Sequence, residues 1–171
     1  MKDDSIIIEK LKKEDLEEFY RFVSDFLIKE YRDYPLNIRR FYRRHFFDKK
    51  KIEEYLKNSN CLLLVAKADG KIIGFLKGFI GYGGSSWINW LGIDKRFRNQ
   101  GLATELLRRA EEFFKKNLCH FIQLCTENED LVEFYRKRGW KLIGLQEKSW
   151  CGQDEYLMQK NIAEPHFELW K

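Results

Sequence analysis

Residues 87–107 constrain this chain more than any other stretch. Trp87-Ile-Asn-Trp-Leu-Gly-Ile93 alternates as a strand does. Arg96-Phe-Arg-Asn-Gln-Gly-Leu-Ala-Thr-Glu-Leu-Leu107 then turns through a basic, glycine-containing bend into an amphipathic helix. Leu102, Leu106, Ala110 and Phe113 recur on one side of that helix, with Ala103, Leu107 and Phe114 beside them, a stripe broad enough to pack on a sheet. A strand that stops at a helix N-terminus leaves several backbone N–H groups aimed at one point, where the helix dipole is positive. That corner accommodates a phosphate. A glycine that merely starts a helix accounts for Gly101 but not for the strand ahead of it.

The flanking sequence supplies the rest of a mixed sheet. Ile6-Ile7-Ile8 within Ser5–Lys10 reads as a first strand, and Lys13–Tyr31 as a long helix with Leu16, Phe19, Tyr20, Val23, Phe26 and Leu27 at helical spacing. Beyond Pro35 a second helical region covers 38–57. Cys61–Ala68 reads as a buried strand, joined by Asp69-Gly70 as a two-residue hairpin turn to a strand over 71–80. Gly81-Tyr-Gly-Gly-Ser-Ser86 reads as a flexible loop. A strand over 120–126, a short helix over 130–137 ending near Gly139, and a closing hairpin of 140–148 with 154–160 complete the order β-α-α-β-β-β-α-β-α-β-β. The order predicts an α/β (α+β) fold with a mixed central sheet of about seven strands and helices on both faces.

Length and composition narrow the class. With 171 residues, 44% hydrophobic and 35% charged, the chain has material for one globular domain spanning 1–171, with a tail from about 161. No apolar run approaches the roughly 20 residues that span a bilayer, and the N-terminus lacks a signal-peptide layout, so no membrane association and a cytoplasmic location are expected. Cys61, Cys119, Cys125 and Cys151 show neither CxxC spacing nor a histidine cluster, so no metal is expected. Residues 39–51 carry seven Lys or Arg against one Asp. They read as the solvated side of a helix whose Phe41, Tyr42, Phe46 and Phe47 pack inward, or as a surface for nucleic acid or another anion. The first reading is preferred, so nucleic acid is not an expected partner. The tail's Phe167, Leu169 and Trp170 suit packing on the body or on a second copy in a homodimer.

The pattern Arg98-x-x-Gly101-x-Ala103 resembles the acyl-CoA pyrophosphate loop of the GNAT family, the GCN5-related N-acetyltransferases. A second motif agrees with it. Thr126-Glu-Asn128, followed by Leu131, Val132, Phe134, Tyr135, Lys137, Gly139 and Trp140, resembles the family's Asn-x-x-Ala-x-x-Phe-Tyr-x-x-x-Gly-Phe segment. Val132 lies near the usual small position, and Trp140 replaces the usual Phe. The resemblance covers nearly the whole chain and implies the GNAT fold and acetyl transfer from acetyl-CoA, without a metal, to a small-molecule or peptide amine. It implies that Leu91 and Ile93 offer backbone groups to the pantetheine arm, the Leu91 amide stabilising the oxyanion. It places the pyrophosphate on the amides of Arg98, Asn99, Gln100, Gly101, Leu102, Ala103 and Thr104. It gives Asn128 a contact to the pantetheine arm, beside an N-cap role, and makes Tyr135 the acid for the departing thiolate, unless Tyr135 only packs the short helix.

The general base is open. The family often uses a carboxylate on the strand before the loop, yet Trp87, Asn89 and Leu91 share one face there without an acid. Glu127, Glu30 and Asp33 are the remaining acids. The acceptor-side segments carry Tyr31, Tyr34, Tyr82, Trp87 and Trp150 with basic groups, which suits an aromatic, neutral or anionic amine or a peptide terminus better than a polycation. No cysteine is suitably paired with a histidine for an acyl-enzyme, so direct ternary-complex transfer is expected. The alternatives are a CoA-binding regulator without catalysis and a nucleic-acid binder acting through residues 39–51.

Overall fold

The structure, a computed structural model, describes residues 6–32 and 34–166. The elements run β1 (Ile7–Lys10), α1 (Leu16–Glu30), α2 (Leu36–Phe46), α3 (Lys49–Lys57), β2 (Cys61–Ala68), β3 (Lys71–Ile80), β4 (Ser85–Ile93), α4 (Leu102–Lys116), β5 (Phe121–Thr126), α5 (Glu129–Arg136), β6 (Lys141–Gln146) and β7 (Glu155–Asn161). The hydrogen-bonded strand order is β1-β2-β3-β4-β5-β7-β6, with β4 and β5 parallel and β1–β2, β5–β7 and β6–β7 antiparallel. This is the expected mixed sheet. The chain divides into two compact units, one ending at Lys77 and resuming over Trp90–Leu106, the other formed by Gly78–Asn89 and the residues from Leu107 on.

In the first unit, α1, α2 and α3 share an aromatic core with β2 and β3. Phe75 meets Phe19 and Phe47 edge-on at 5.5 and 5.7 Å between ring centroids, and Leu63 and Val65 lie buried with them. Edge-to-face rings at such distances add to plain area burial. Asp69 and Gly70 sit at φ 51° and 72°, the left-handed pair that a two-residue hairpin needs. In the second unit, β5 is flanked by β4 and β7, with Ser85 opposite Phe121 and Thr126 opposite Tyr156. Helix α5 packs against β5, β6 and β7, burying Val132, Tyr135 and Trp140.

Three expectations need correction. The helical region over 38–57 is two helices: Asp48 is extended at φ −59°, ψ 139°, and its carboxylate accepts from the amides of Lys50 and Lys51 at 3.1 and 3.3 Å, capping a new start. Phe41 does not pack inward with Tyr42, Phe46 and Phe47. It is 39% exposed, with its ring tilted against His45 at 4.0 Å, because position 41 lies off the stripe that Tyr42 and Phe46 share one turn apart. The loop over 81–86 is shorter than expected. Ser85 and Ser86 belong to β4, and the buried Ser86 hydroxyl donates to the Phe121 carbonyl at 2.9 Å. Ser5 and the tail's Phe167, Leu169 and Trp170 lie outside the described residues, and with them the homodimer suggestion.

The first unit's core also takes in a lysine. Lys77 is 8% exposed, and burial pulls its pKa down to about 8. A lowered folded pKa means the folded state binds fewer protons than the unfolded chain between about pH 8 and 10.5, so stability rises with pH across that window and is lost on returning to pH 8. Lys77→Met is expected to be the more stable protein at pH 7. Its advantage should shrink by up to about 3 kcal/mol between pH 8 and pH 10.5 in parallel denaturant titrations.

Candidate functional site

The loop between β4 and α4 is built by short side-chain bonds. The Asp94 carboxylate accepts from the Arg96 amide at 3.0 Å and pairs with the Arg96 guanidinium at 2.7 Å, which holds its carboxyl below the usual range. Arg98 turns back: its Nε donates to the Ile93 carbonyl at 3.1 Å, and its terminal nitrogen pairs with Glu30 at 2.6 Å. Gln100 donates to the Arg96 carbonyl at 3.2 Å. These bonds pin the loop before any ligand arrives.

The backbone between these anchors is left-handed twice, at Asn99 (φ 60°) and Gly101 (φ 79°). Residues alternating into that region turn successive amides toward a common concavity that attracts anions. The Gly101 carbonyl then accepts from the Glu105 amide at 3.0 Å, which opens α4 and places the amides of Leu102 and Ala103 ahead of the first intrahelical bond. The Leu102 side chain is buried and anchors this start, while Gly101 and Thr104 are exposed. Among the described residues, none beyond its own chain neighbours would lie within 4 Å of a Cβ at Gly101. Glycine is therefore required here by its positive φ, and the space beside it belongs to solvent or to a ligand. Lys95, Arg96 and Arg98 precede the opening of the helix in sequence. A diphosphate fits this donor set.

Upstream, the β4–β5 ladder runs from Ser85↔Phe121 to Trp87↔Gln123, so Leu91 and Ile93 lie beyond it on β4. Leu91 is half-buried, Ile93 is buried, and the Ile93 carbonyl already accepts from Arg98. Leu91, Ile93 and Arg98–Thr104 thus form one continuous stretch of the first unit.

Asn128 and Tyr135 belong to the second unit, both on α5 or its start. The Asn128 side chain accepts from the Asp130 amide at 2.8 Å, so the N-cap role is realised. Tyr135 is 6% exposed, with its ring edge-on to Phe134 at 5.1 Å and to Trp140 at 5.6 Å. Burial pushes its phenol up to about 12, slightly offset by the Arg138 charge. The helix closes through Gly139 at φ 82°, with the Trp140 amide donating back to the Tyr135 carbonyl at 3.2 Å. This closure fixes the tyrosine's place on the helix. Asn128→Ala is expected to lose about 1 kcal/mol of stability with its cap, read by thermal melting. If the same side chain also binds a ligand, coenzyme A affinity should fall about threefold to tenfold in the same variant.

Among the acids considered as base, Glu30 is tied to Arg98, Glu127 is exposed after β5, and Asp33 lies outside the described residues. The aromatic residues expected near the acceptor are shared between the two units. Tyr31 and Tyr34 lie 5.5 Å apart in the first unit, while Trp87, Trp150 and Tyr82, itself 99% exposed, belong to the second. Sequence reasoning missed Trp90, which joins Tyr31 at 5.8 Å, Tyr42 at 5.4 Å and Phe47 at 4.9 Å. Its signal was present, since position 90 alternates to the face opposite Trp87 and Leu91. Helix α2 adds two buried guanidinium Nε atoms, of Arg39 and Arg43, that have no hydrogen-bond partner among the described residues. Among the described residues no cluster of three or more His, Cys, Asp or Glu is placed to hold a metal, and no helix is long and apolar enough to cross a membrane.

Known proteins share this fold. The family model described as acetyltransferase (GNAT) family matches residues 16–140. The PaiA N-acetyltransferase from Thermoplasma acidophilum, solved in complex with coenzyme A, is 25% identical, with a TM-score of 0.78 over 92% of this chain and 99% of that one. An acetyltransferase of the GNAT family from Streptococcus pneumoniae is 22% identical, with a TM-score of 0.72 over 93% of this chain and 100% of that one. The ribosomal-protein-S18-alanine N-acetyltransferase from Escherichia coli is 16% identical, with a TM-score of 0.71 over 94% and 96% of the two chains.

Proposed function

We infer the reaction from what the match over residues 16–140 establishes: the chain belongs to the acetyltransferase (GNAT) family. We propose that the whole chain acts as one N-acetyltransferase domain, moving the acetyl group of acetyl-CoA to a primary amine by direct attack in a ternary complex. The observation that carries this reading is the loop with two left-handed residues that opens α4 beneath an exposed, uncrowded Gly101. Its amides from Arg98 to Thr104 hold the diphosphate, and Arg98, fixed by Glu30 and the Ile93 carbonyl, keeps the loop in register with β4. The relative solved with coenzyme A supports the donor assignment.

In this mechanism the Leu91 amide receives the negative charge that develops on the thioester oxygen, and Tyr135 supplies a proton to the departing sulfur. A phenol near 12 is a reluctant acid toward a thiol in water, whose pKa is near 8.5. A sulfur buried beside it is not in water. Burial raises the Cys125 thiol of the same unit to about 11, so a desolvated thiolate and Tyr135 move upward together. The same shift makes Cys125 a poor nucleophile, which favours direct transfer over an acyl-enzyme. The Tyr31, Tyr34 and Trp90 rings, with the Arg39 and Arg43 Nε atoms that have no hydrogen-bond partner among the described residues, support an acceptor that carries an aromatic or anionic group.

The test is an acceptor screen followed by thiol release, spanning polyamines, amino acids, aromatic amines and short peptides. Release with aromatic or acidic amines and little with polyamines is expected. Coenzyme A binding without release for any amine class contradicts the enzymatic reading.

A further inference from the structure

Helix α2 carries a charge pattern that the fold does not use. Arg39, Arg40, Arg43 and Arg44 stand on a helix without an acid, and Asp48 is the only carboxylate between Tyr34 and Ile52. Asp48 is committed to the start of α3, where it accepts from the Lys50 and Lys51 amides. Arg40 and Arg44 are exposed, and among the described residues no carboxylate pairs with either. Helix α3 follows its lysines with Glu53 and Glu54, whereas α2 has no such offset. The helix dipole favours cations in the last turn, which accounts for Arg43, Arg44 and His45 but not for Arg40 at mid-helix. Like charges one turn apart, as Arg40 and Arg44 are, repel each other until an anion lies between them.

A purely solvated face also requires Phe41 to pack inward, and it does not. At about 100° per residue, α2 presents Arg40 and Arg44 as one row and Phe41 and His45 as the next. The Phe41 ring is tilted against His45 at 4.0 Å and meets Phe46 edge-on at 6.2 Å, so an exposed ring is held in a fixed orientation. Lys51 reaches the same end of α2, its ammonium donating to the His45 carbonyl at 3.2 Å. All of these residues belong to the first unit, and none takes part in the acetyl transfer proposed above.

We propose that this outer face of α2 docks single-stranded nucleic acid. Arg40, Arg44 and Lys51 take the phosphates, and the Phe41 and His45 rings stack on bases. Cations that follow a phosphate backbone, beside aromatic rings that accept any base, are the two parts of such a surface. Each guanidinium offers a planar fork of donors to a phosphate. An anionic membrane fits less well, because a basic helix that lies on lipid inserts its apolar face. Helix α2 turns that face inward, with Tyr42 buried and Ile38 and Phe46 packed against the first unit's core. An acidic peptide would meet the arginines and leave the exposed rings unused.

The test titrates the full chain into labelled oligo(U) and oligo(dT) of about 12 nucleotides, read by fluorescence anisotropy over a salt series. Micromolar binding is expected at about 50 mM salt, with log affinity falling against log salt at a slope near −2 for three phosphates. Replacing both arginines, Arg40→Gln with Arg44→Gln, is expected to reduce that slope by about 1.4. Phe41→Ala is expected to bind either oligonucleotide about tenfold more weakly, with unchanged binding to heparin, which carries charge without bases. Binding of either polymer supports the docking surface, and the tighter one identifies the sugar it prefers. No binding of either at the lowest salt overturns the proposal, as does an unchanged slope in the double variant. Equal loss of heparin and oligonucleotide in Phe41→Ala also overturns it, as does tighter binding to phosphatidylserine vesicles than to both oligonucleotides.

Discussion

Gly101→Val is expected to weaken coenzyme A binding at least about a hundredfold while the protein stays folded. Two effects add. A β-branched residue at φ 79° pays for a left-handed backbone, roughly 1–2 kcal/mol, and relieves it by turning the loop amides away from their common focus. The new side chain also enters space that no described residue beyond its own chain neighbours approaches within 4 Å, where the proposed diphosphate would sit. Each 1.4 kcal/mol is about tenfold in affinity, so loss of two charge-assisted amide bonds reaches the hundredfold range. Gly70→Val is the matched control. Gly70 has φ 72° and equally open surroundings, but sits in the β2–β3 hairpin, so it carries the strain without the binding loss. Calorimetric titration with coenzyme A distinguishes the two variants.

Tyr135→Phe is expected to lower turnover at least tenfold with coenzyme A affinity changed by less than about twofold. The Phe ring keeps the edge-on contacts to Phe134 and Trp140, so only the hydroxyl is lost. General acid catalysis by a positioned group contributes on the order of a hundredfold or more when chemistry limits the rate. Because burial holds the phenol near 12, Tyr135 stays protonated through pH 10, and it adds no alkaline fall in turnover below that pH. Unchanged turnover in the variant, read under saturating donor and acceptor, reduces Tyr135 to a packing residue of α5.

Much of this was legible because local chemistry fixed it. Asp69-Gly70 announces its hairpin since few residue pairs adopt two left-handed conformations, and the broad apolar stripe of α4 suits packing on a sheet. The break at Asp48 was hidden, because the helical spacing of apolar residues continues across it and only the capping geometry separates α2 from α3. The Arg98–Glu30 pair joins positions 68 apart in sequence, and no local pattern encodes it. Asn99 is a similar case: asparagine tolerates the left-handed region but does not announce it. Trp90 and Lys77 were readable as residue types and as strand positions, yet their partners Tyr42 and Tyr55 come from helices whose packing the sequence does not specify.

The decisive measurement compares coenzyme A with pantetheine, which lacks the diphosphate, by calorimetric titration against the unaltered protein and Gly101→Val. The unaltered protein is expected to bind coenzyme A at least about a hundredfold more tightly than pantetheine, and this gap is expected to close in the variant. Equal affinity for the two ligands in the unaltered protein, or a gap that survives in Gly101→Val, contradicts the diphosphate site at Gly101.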